Sequence, residues 1–476
     1  MGNKYSKLGK NTLIFAIGTI GSKGIHFLLI PFYTRIFNSY QYGQLDIIQT
    51  SINLLIPLIT LQLGEAIFRF TMDKNGDRKS VLTNALIYNF GLILLLIIIL
   101  IINKSLVLFN VSFYLVISII IGEMLLIQFK HFIRAIGQIY TFVITDIIQV
   151  IMFLLFNLVF LVILSMSIEG YFLALALSKI VALVFLVIKC NIFNYIEFKY
   201  IDEALIKKML LYSIPLIPNT LMWWVMNASD RYIISYFLGF ESTGIYAISY
   251  KLPSLLVLMY GVFAYAWQIF AIEESEAADK NESYATIFLY NRIFFIISIS
   301  LLLPFLKSFI TILGSKEFYD SWKYIPILLF ATMFSAFSKF YGTGYIISKK
   351  TGGAFTTSLY GGIINIVVGI LIIPYLGLFG ASLSTMIGFL VMWLFRMRQT
   401  KKFFYIRIEW LSFISSLTIL IIQSLLLFVN MHSFFSSLLH LLLFSLVVII
   451  NKKPLKRIFL FFLTKIRMNG SNKTLK

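Results

Sequence analysis

Apolar runs of about 18 residues or more recur along the whole chain, each long enough to carry a helix across the hydrocarbon core of a bilayer. The stretches GLILLLIIILII at 91–102 and LALALSKIVALVFLVI at 173–188 are the central parts of two of them. In lipid every backbone polar group must be bonded inside its own element, so only helices or closed barrels can span. The alternating in-out pattern of a barrel is absent. Composition agrees: 59% of residues are hydrophobic and 13% charged, against about 25% charged in an ordinary soluble domain. The expectation is an all-α polytopic membrane protein.

Forty Lys and Arg against twenty Asp and Glu leave a formal net charge of +20. An excess of this size can mean nucleic acid, but its placement points to topology. With the N-terminus inside, roughly thirty of the basic residues fall in loops on the cytoplasmic side and about six outside. Shifting the spans by one would destroy that asymmetry, so an even number of spans with both termini cytoplasmic is expected. Cys190 is the sole cysteine and the four histidines show no ligand spacing. No disulfide, metal site or cofactor is expected.

Hydropathy and loop charge predict about fourteen spans. They cover roughly 11–33, a second span ending near 64, 81–102, 112–132, 139–164, 169–189, a seventh opening near 212, 245–270, 284–313, 322–348, 354–373, 380–395, 410–430 and 432–450. The longest polar linker follows the sixth span, which divides the chain into an N-terminal lobe (1–190), a cytoplasmic linker (191–210), a C-terminal lobe (211–400) and a final region (401–476). The last region holds two further helices and a basic tail that could lie on anionic lipid.

The seventh span is the unusual one. Its sequence, SIPLIPNTLMWWVMNASDRYII, places Asp230 and Arg231 where a charge costs roughly 2.5–3.5 kcal/mol. Asn219, Trp223, Asn227 and Asp230 follow at helical steps of four, four and three. The first span carries Thr12, Thr19, His26 and Tyr33 at heptad spacing, with Ser22 and Lys23 alongside. The second carries Asp46, Gln49, Asn53, Pro57, Thr60 and Gly64, and the eighth Tyr246, Tyr250, Pro253, Tyr260 and Trp267, with Lys251 beside them. Interhelical hydrogen bonding accounts for isolated Ser and Thr, whereas ionic side chains on these faces are candidates for the wall of a hydrated cavity.

Laying spans 1–2 over spans 7–8 sets FNSYQYGQLDII on LGFESTGIYAIS, with Gly43 over Gly244, and LGLFGASLSTMI at 376–387 echoes the same turn. The turns lie six spans apart, as in a parallel repeat of two pseudo-symmetric six-helix lobes plus two C-terminal helices.

With the Lys-rich start, PFYTRIFNSYQYGQL, SIPLIPNTLMWWVMNASDRYII and LGFESTGIYAISYKL, the chain resembles the polysaccharide flippases of the superfamily that includes MATE multidrug transporters and the lipid II flippase. The resemblance implies an alternately opening cavity that carries isoprenyl-pyrophosphate-linked oligosaccharide to the outer leaflet for capsule or O-antigen export. It implies membrane lipids and polysaccharide polymerase machinery as partners and a monomeric, non-enzymatic transporter, with no nucleic acid.

The residues suit that cargo. A pyrophosphate needs fixed cations and sugars need mixed polar groups with aromatic faces. Lys23, Arg231 and Lys251 are the candidate cations; His26, Asp46, Asn53, Trp223, Asn227, Asp230, Tyr250 and Tyr260 complete the candidate substrate-binding set. Arg35 and Asp46 are expected at the outer mouth, Glu65 and Arg69 at the inner one. Glu123, Asp146, Lys179 and Lys339 are candidates for ion coupling or structural charge pairing, the pairing being favoured for the first three. Pro57, Pro215, Pro218 and Pro253 are hinge candidates because each removes a helix hydrogen bond. Two rival readings remain: a cation-coupled multidrug antiporter, which would place acids in the cavity, and a membrane glycan polymerase or ligase, which would need a large external catalytic loop. No external loop exceeds about a dozen residues.

Overall fold

The structure is a computed structural model that describes residues 21, 23–73, 77–102, 107–108, 111–348, 350 and 352–456. Thr12, Thr19, Ser22, the N-terminal lysines and most of the basic tail lie outside the described residues. Among those described, eight helices are long and apolar enough to cross a membrane, or nine if one bent pair is counted as a single span.

The chain divides into two compact units, Met1–Ala247 and Ile248–Lys476. In the first, helix α1 (Ile30–Ile36) continues a helical run at 23–28. Then come α2 (Ser39–Ile59), α3 (Leu63–Thr71) and α4 (Arg78–Ile102). A two-residue antiparallel pair, β1 (Val107–Leu108) with β2 (Val111–Ser112), leads to α5 (Phe113–Ala135). Helix α6 (Ile139–Asn157) runs into a π-helical turn at Leu158–Ile163 and is followed by α7 (Ile168–Lys189), α8 (Glu203–Ser213) and α9 (Ile217–Ser249). The second unit contains α10 (Lys251–Glu273), α11 (Lys280–Leu302), α12 (Leu306–Leu313), α13 (Ile325–Ile347), α14 (Gly352–Thr400), α15 (Trp410–Leu426) and α16 (Ser433–Ile450).

Helices therefore stand at the places of spans 2 to 14, but their breaks are informative. Helix α9 is broken at Gly239 (φ 80°) and α14 at Gly377 (φ 57°), which separates spans 7 from 8 and 11 from 12. A left-handed φ is open to glycine at little cost, and both glycines follow a leucine in the LGF and LGLFG turns of the repeat. Between α2 and α3 the chain bends by 51° through Leu61 (φ 44°) and Gln62 (φ 57°). Gly64, expected to prolong the stripe of span 2, lies beyond that bend.

The hinge candidates sit elsewhere. Pro215 occupies the 3-10 turn Ile214–Leu216, while Pro218 and Pro253 lie within the first turns of α9 and α10, where a missing N–H is of little consequence. Of the four candidates Pro57 alone is interior to its helix. The sharp breaks fall at Leu61–Gln62, Gly239 and Gly377.

The core of the first unit joins Leu63, Ala66 and Ile67 of α3 to Val81, Leu82 and Ala85 of α4, Phe129, Phe132 and Ile133 of α5, Ala182 and Leu186 of α7, and Met209 of α8. Polar side chains cement it: Asn89 and Gln128 exchange amide hydrogen bonds between α4 and α5. Such bonds are effective where no water competes.

The segment expected as a linker is clamped onto the start of α4. Asn84 donates to the Tyr200 carbonyl at 2.9 Å and accepts from the Asp202 N–H at 2.9 Å. Thr83 accepts from the Glu197 N–H at 3.1 Å, and Glu197 pairs with Lys79 and with Lys199. Hydrogen bonds from Lys199 and Lys79 hold the Glu197 carboxyl below its usual range. That contribution is in place above the unfolded carboxylate pKa and is lost as pH falls through the lowered folded value. Replacing Asn84 by Ala removes two bonds to the linker backbone, each worth about 1 kcal/mol. Amide hydrogen exchange around Asp202 is expected to quicken by roughly tenfold or more, with exchange in α5 unchanged.

Candidate functional site

Helix α2 starts where it does because Asn38 caps it. Its side chain accepts from the Gln41 N–H at 2.8 Å, and Gln41 returns the bond to the Asn38 N–H, a reciprocal capping box. The helix then runs antiparallel to the first part of α9, and a seam of contacts joins the two within the first unit.

At one end the backbones touch. A Cβ built on Gly43 would stand 1.9 Å from the Phe240 carbonyl oxygen, and one on Gly244 would stand 2.0 Å from the Ser39 carbonyl oxygen. The contact is reciprocal: each glycine faces the carbonyl four residues before the other. The two glycines that coincide when the repeat is aligned are thus the two that meet. Only hydrogen fits there, which leaves Cα–H groups directed at carbonyls.

One turn along lies the charge cluster. Arg231 donates from Nε to Asp46 at 2.7 Å and from Nη1 to the Asn227 carbonyl at 2.6 Å and to Asp230 at 3.3 Å. Asp230 also accepts from the Tyr246 hydroxyl at 2.7 Å and from the Arg231 N–H at 2.9 Å. Asp230 is 1% and Arg231 9% exposed. One guanidinium thus lies between two carboxylates. Arginine suits the place, because its planar fork serves several acceptors at once. Farther along, Trp224 donates to the Thr50 carbonyl at 3.1 Å, Ser51 and Tyr232 share a hydrogen at 2.6 Å, and Gln62 donates to Thr220 at 3.0 Å. The last bond ties the left-handed bend after α2 to α9.

Arg231, a candidate cation for the cargo, is enclosed here by Asp46 and Asp230. The stripe on α9 also divides: Asp230 is buried against Arg231 and Tyr246, Trp223 is half-buried, and Asn227 is exposed with its amide donating to its own helix. Asn53 is exposed on α2. Lys23 and His26 are exposed, the His26 ring lying 5.6 Å from Phe153. Arg35, Glu65 and Arg69 are exposed as well.

In the second unit Lys251 and Tyr250 are half-buried, while Tyr260 is buried against Phe263 and Phe295. Trp267 stacks on Phe340 at 4.0 Å. In the first unit Lys179 pairs with Glu123 and Lys130 with Asp146, so these carboxylates bridge α5 to α7 and α5 to α6. Lys339 is half-buried on α13.

Three buried polar residues escaped the sequence reading of the site. Tyr246 was placed on a stripe but not assigned. Arg292 is buried in α11, its guanidinium donating to the Glu409 carbonyl at 3.3 Å and lying over Phe413. Arg396, read as part of a basic loop, is buried in α14, where it donates to Thr357 at 3.1 Å, Ser358 at 2.9 Å and the Ser338 carbonyl at 3.0 Å. The hydroxyl pair Thr357–Ser358 within an apolar span was the available signal.

Known proteins share this fold. The chain is similar to the lipid II flippase MurJ in an inward closed conformation, at 16% identity and a TM-score of 0.69, over 93% of this chain and 99% of that one. It is similar to an inward-facing multidrug resistance MATE family transporter of the MOP superfamily, at 12% identity and a TM-score of 0.67, over 82% and 98% of the two chains. An uncharacterized membrane protein of Methanocaldococcus jannaschii is 24% identical over 271 residues, 53% of this chain and 52% of that protein. The match thus spans about half the length of that relative. The family described as "Polysaccharide biosynthesis protein" matches residues 8–270. The multi-pass helical chain with its buried Asp46–Arg231–Asp230 seam belongs to that polysaccharide biosynthesis protein family.

Proposed function

We propose that this protein carries an isoprenyl-pyrophosphate-linked oligosaccharide repeat unit from the inner to the outer leaflet of a bacterial cytoplasmic membrane by alternating access. The lobes are 1–190 and 211–400, joined by 191–210, with 401–476 appended and both termini cytoplasmic. The protein acts as a monomer, without catalysis, supplying a polysaccharide polymerase.

The observation that carries this reading is the seam. It joins α2 of the first repeat to the opening helix of the second through buried ionic and polar groups, in segments where charge is retained chiefly for transport pathways. A pair of lobes that must part needs contacts that can be unmade, and polar bonds and a glycine crossing are of that kind. Lys23, exposed beside His26, supplies a positive charge for a pyrophosphate. The similarity of fold to a lipid II flippase supports a lipid-linked cargo.

The test deletes the protein and follows the lipid-linked oligosaccharide. Accumulation on the inner leaflet with loss of surface polymer is expected. Restoration by a Cys190→Ser variant carrying Ser51→Cys and Tyr232→Cys should be blocked by a short reducible bis-methanethiosulfonate bridge and recovered with reductant. Export by the bridged protein would refute the opening seam. A normal glycan with an altered drug-resistance profile would instead favour the multidrug antiporter, the reading that the MATE-like fold keeps open.

A further inference from the structure

We infer that the segment from Phe193 to Ile214 lies in the membrane interface and binds anionic lipid headgroups through Lys207 and Lys208, with hydrocarbon seated in a groove on α8. The groove encloses about 270 Å³ and is lined by Glu203, Ile206, Lys207, Leu210, Leu211 and Ile214. Its floor is apolar, with Lys207 and Glu203 as its charged lining residues. Leu211 of its lining is 66% exposed, and the same segment carries two more large apolar side chains with little protein cover, Phe193 at 74% and Phe198 at 76% exposure. In water such a set would be unfavourable.

Place and charge choose the occupant. Phe193 follows the last residue of α7, Lys189, by four positions, a reach of at most about 14 Å. At the other end Ile214 begins the 3-10 turn that leads into α9. Helix α7 and the run Glu203–Ser249, of which α8 is the opening part, are each long and apolar enough to cross a membrane, so the segment is held where the chain leaves the hydrocarbon and re-enters it. Its acids are largely occupied: Glu197 is taken by Lys79 and Lys199, and Asp202 caps α8 by accepting from the Ala204 and Leu205 N–H groups. Lys207 and Lys208 are exposed and form no ion pair among the described residues. Apolar residues continuous with two spans and a pair of uncommitted lysines fit an anionic bilayer surface. The clamp of Asn84 and Thr83 on the same segment joins that surface to α4.

The test uses the full chain with Cys190→Ser, which keeps a hydrogen-bonding group toward Gln138, and one new cysteine at Phe198 or Leu211 carrying an environment-sensitive fluorophore. In phosphatidylcholine vesicles containing phosphatidylglycerol, both positions should show blue-shifted emission and quenching by lipids spin-labelled near the headgroup. Spin-labelled phosphatidylglycerol should quench better than spin-labelled phosphatidylcholine. Lys207→Gln with Lys208→Gln should reduce that preference by about fivefold per lysine without altering thermal melting. Full access to aqueous iodide with no lipid quenching overturns the inference. So does equal quenching by the two lipids, or shielding that grows with protein density rather than lipid charge, which would assign the surface to a second copy of the chain.

Discussion

Valine at Gly43 or Gly244 is expected to prevent the protein from holding the conformation described here. A Cβ at either position would lie about 1 Å inside the closest approach that real side chains make, and the opposing atom is a backbone carbonyl in both cases. A flexible side chain could turn away, but a helix backbone cannot. Overpacking of this kind costs about 1–3 kcal/mol where neighbours can shift and more where they cannot. Even Gly43→Ala and Gly244→Ala should lower the melting temperature in detergent. Gly91→Ala and Gly261→Ala are the controls, because a Cβ at either meets nothing within 4 Å, and a helical Gly→Ala change is favourable where there is room. Melting of the Gly43 and Gly244 variants like the controls would mean that α2 and α9 do not cross as described. If the crossing opens during transport, a variant retained in the membrane should be trapped with these helices apart and should fail to export polymer.

The repeat that aligns Gly43 with Gly244 was visible in the sequence, because a close crossing of two helix backbones admits only glycine. The breaks at Gly239 and Gly377 fall on glycines too, whose left-handed backbone favours that residue. Leu61 and Gln62 carry no such mark. Two consecutive non-glycine residues in the left-handed region each cost about 1–2 kcal/mol. What sustains them includes the bond from Gln62 to Thr220, 158 residues away, which no local pattern reports. The effect of a proline depends on position for a related reason: in the first turn of a helix, as at Pro218 and Pro253, the missing N–H has no helical acceptor to lose.

Charges were legible as positions and not as partners. Hydropathy located Asp46, Asp230 and Arg231 inside spans, but periodicity cannot say that Arg231 reaches across to a residue 185 positions earlier. Arg396 was hidden by its neighbours. Arg398, Lys401 and Lys402 follow it, so it passed for the first residue of a cytoplasmic loop rather than the last polar group of a buried helix. The polar stripes mixed two populations for the same reason: Asp46 and Asp230 are enclosed, while Asn53 and Asn227 on the same helices are open.

Replacing Arg231 by alanine is expected to be the most damaging change in the charge cluster, and to act on the folded protein before it acts on transport. The variant would leave Asp46 and Asp230 buried with no guanidinium between them; Asp230 would keep the Tyr246 hydroxyl. Stranding buried carboxylates in this way typically costs about 3–5 kcal/mol. Asp46→Ala should cost less, because Arg231 keeps Asp230 and the Asn227 carbonyl. The double variant Asp46→Asn with Arg231→Gln should lose less than the two single changes summed, since it removes both charges of the pair. Arg231→Lys should rescue only in part, because an ammonium cannot reproduce the planar fork. The measurements are thermal melting of purified protein and the amount of protein in the membrane. Lys23→Ala gives the contrast: exposed, it should leave both quantities unchanged and lower export of polymer. If Arg231→Ala proved as stable and abundant as the parent and lost export alone, the guanidinium would be serving cargo directly, and the enclosure by Asp46 and Asp230 would not be the state that supports the fold.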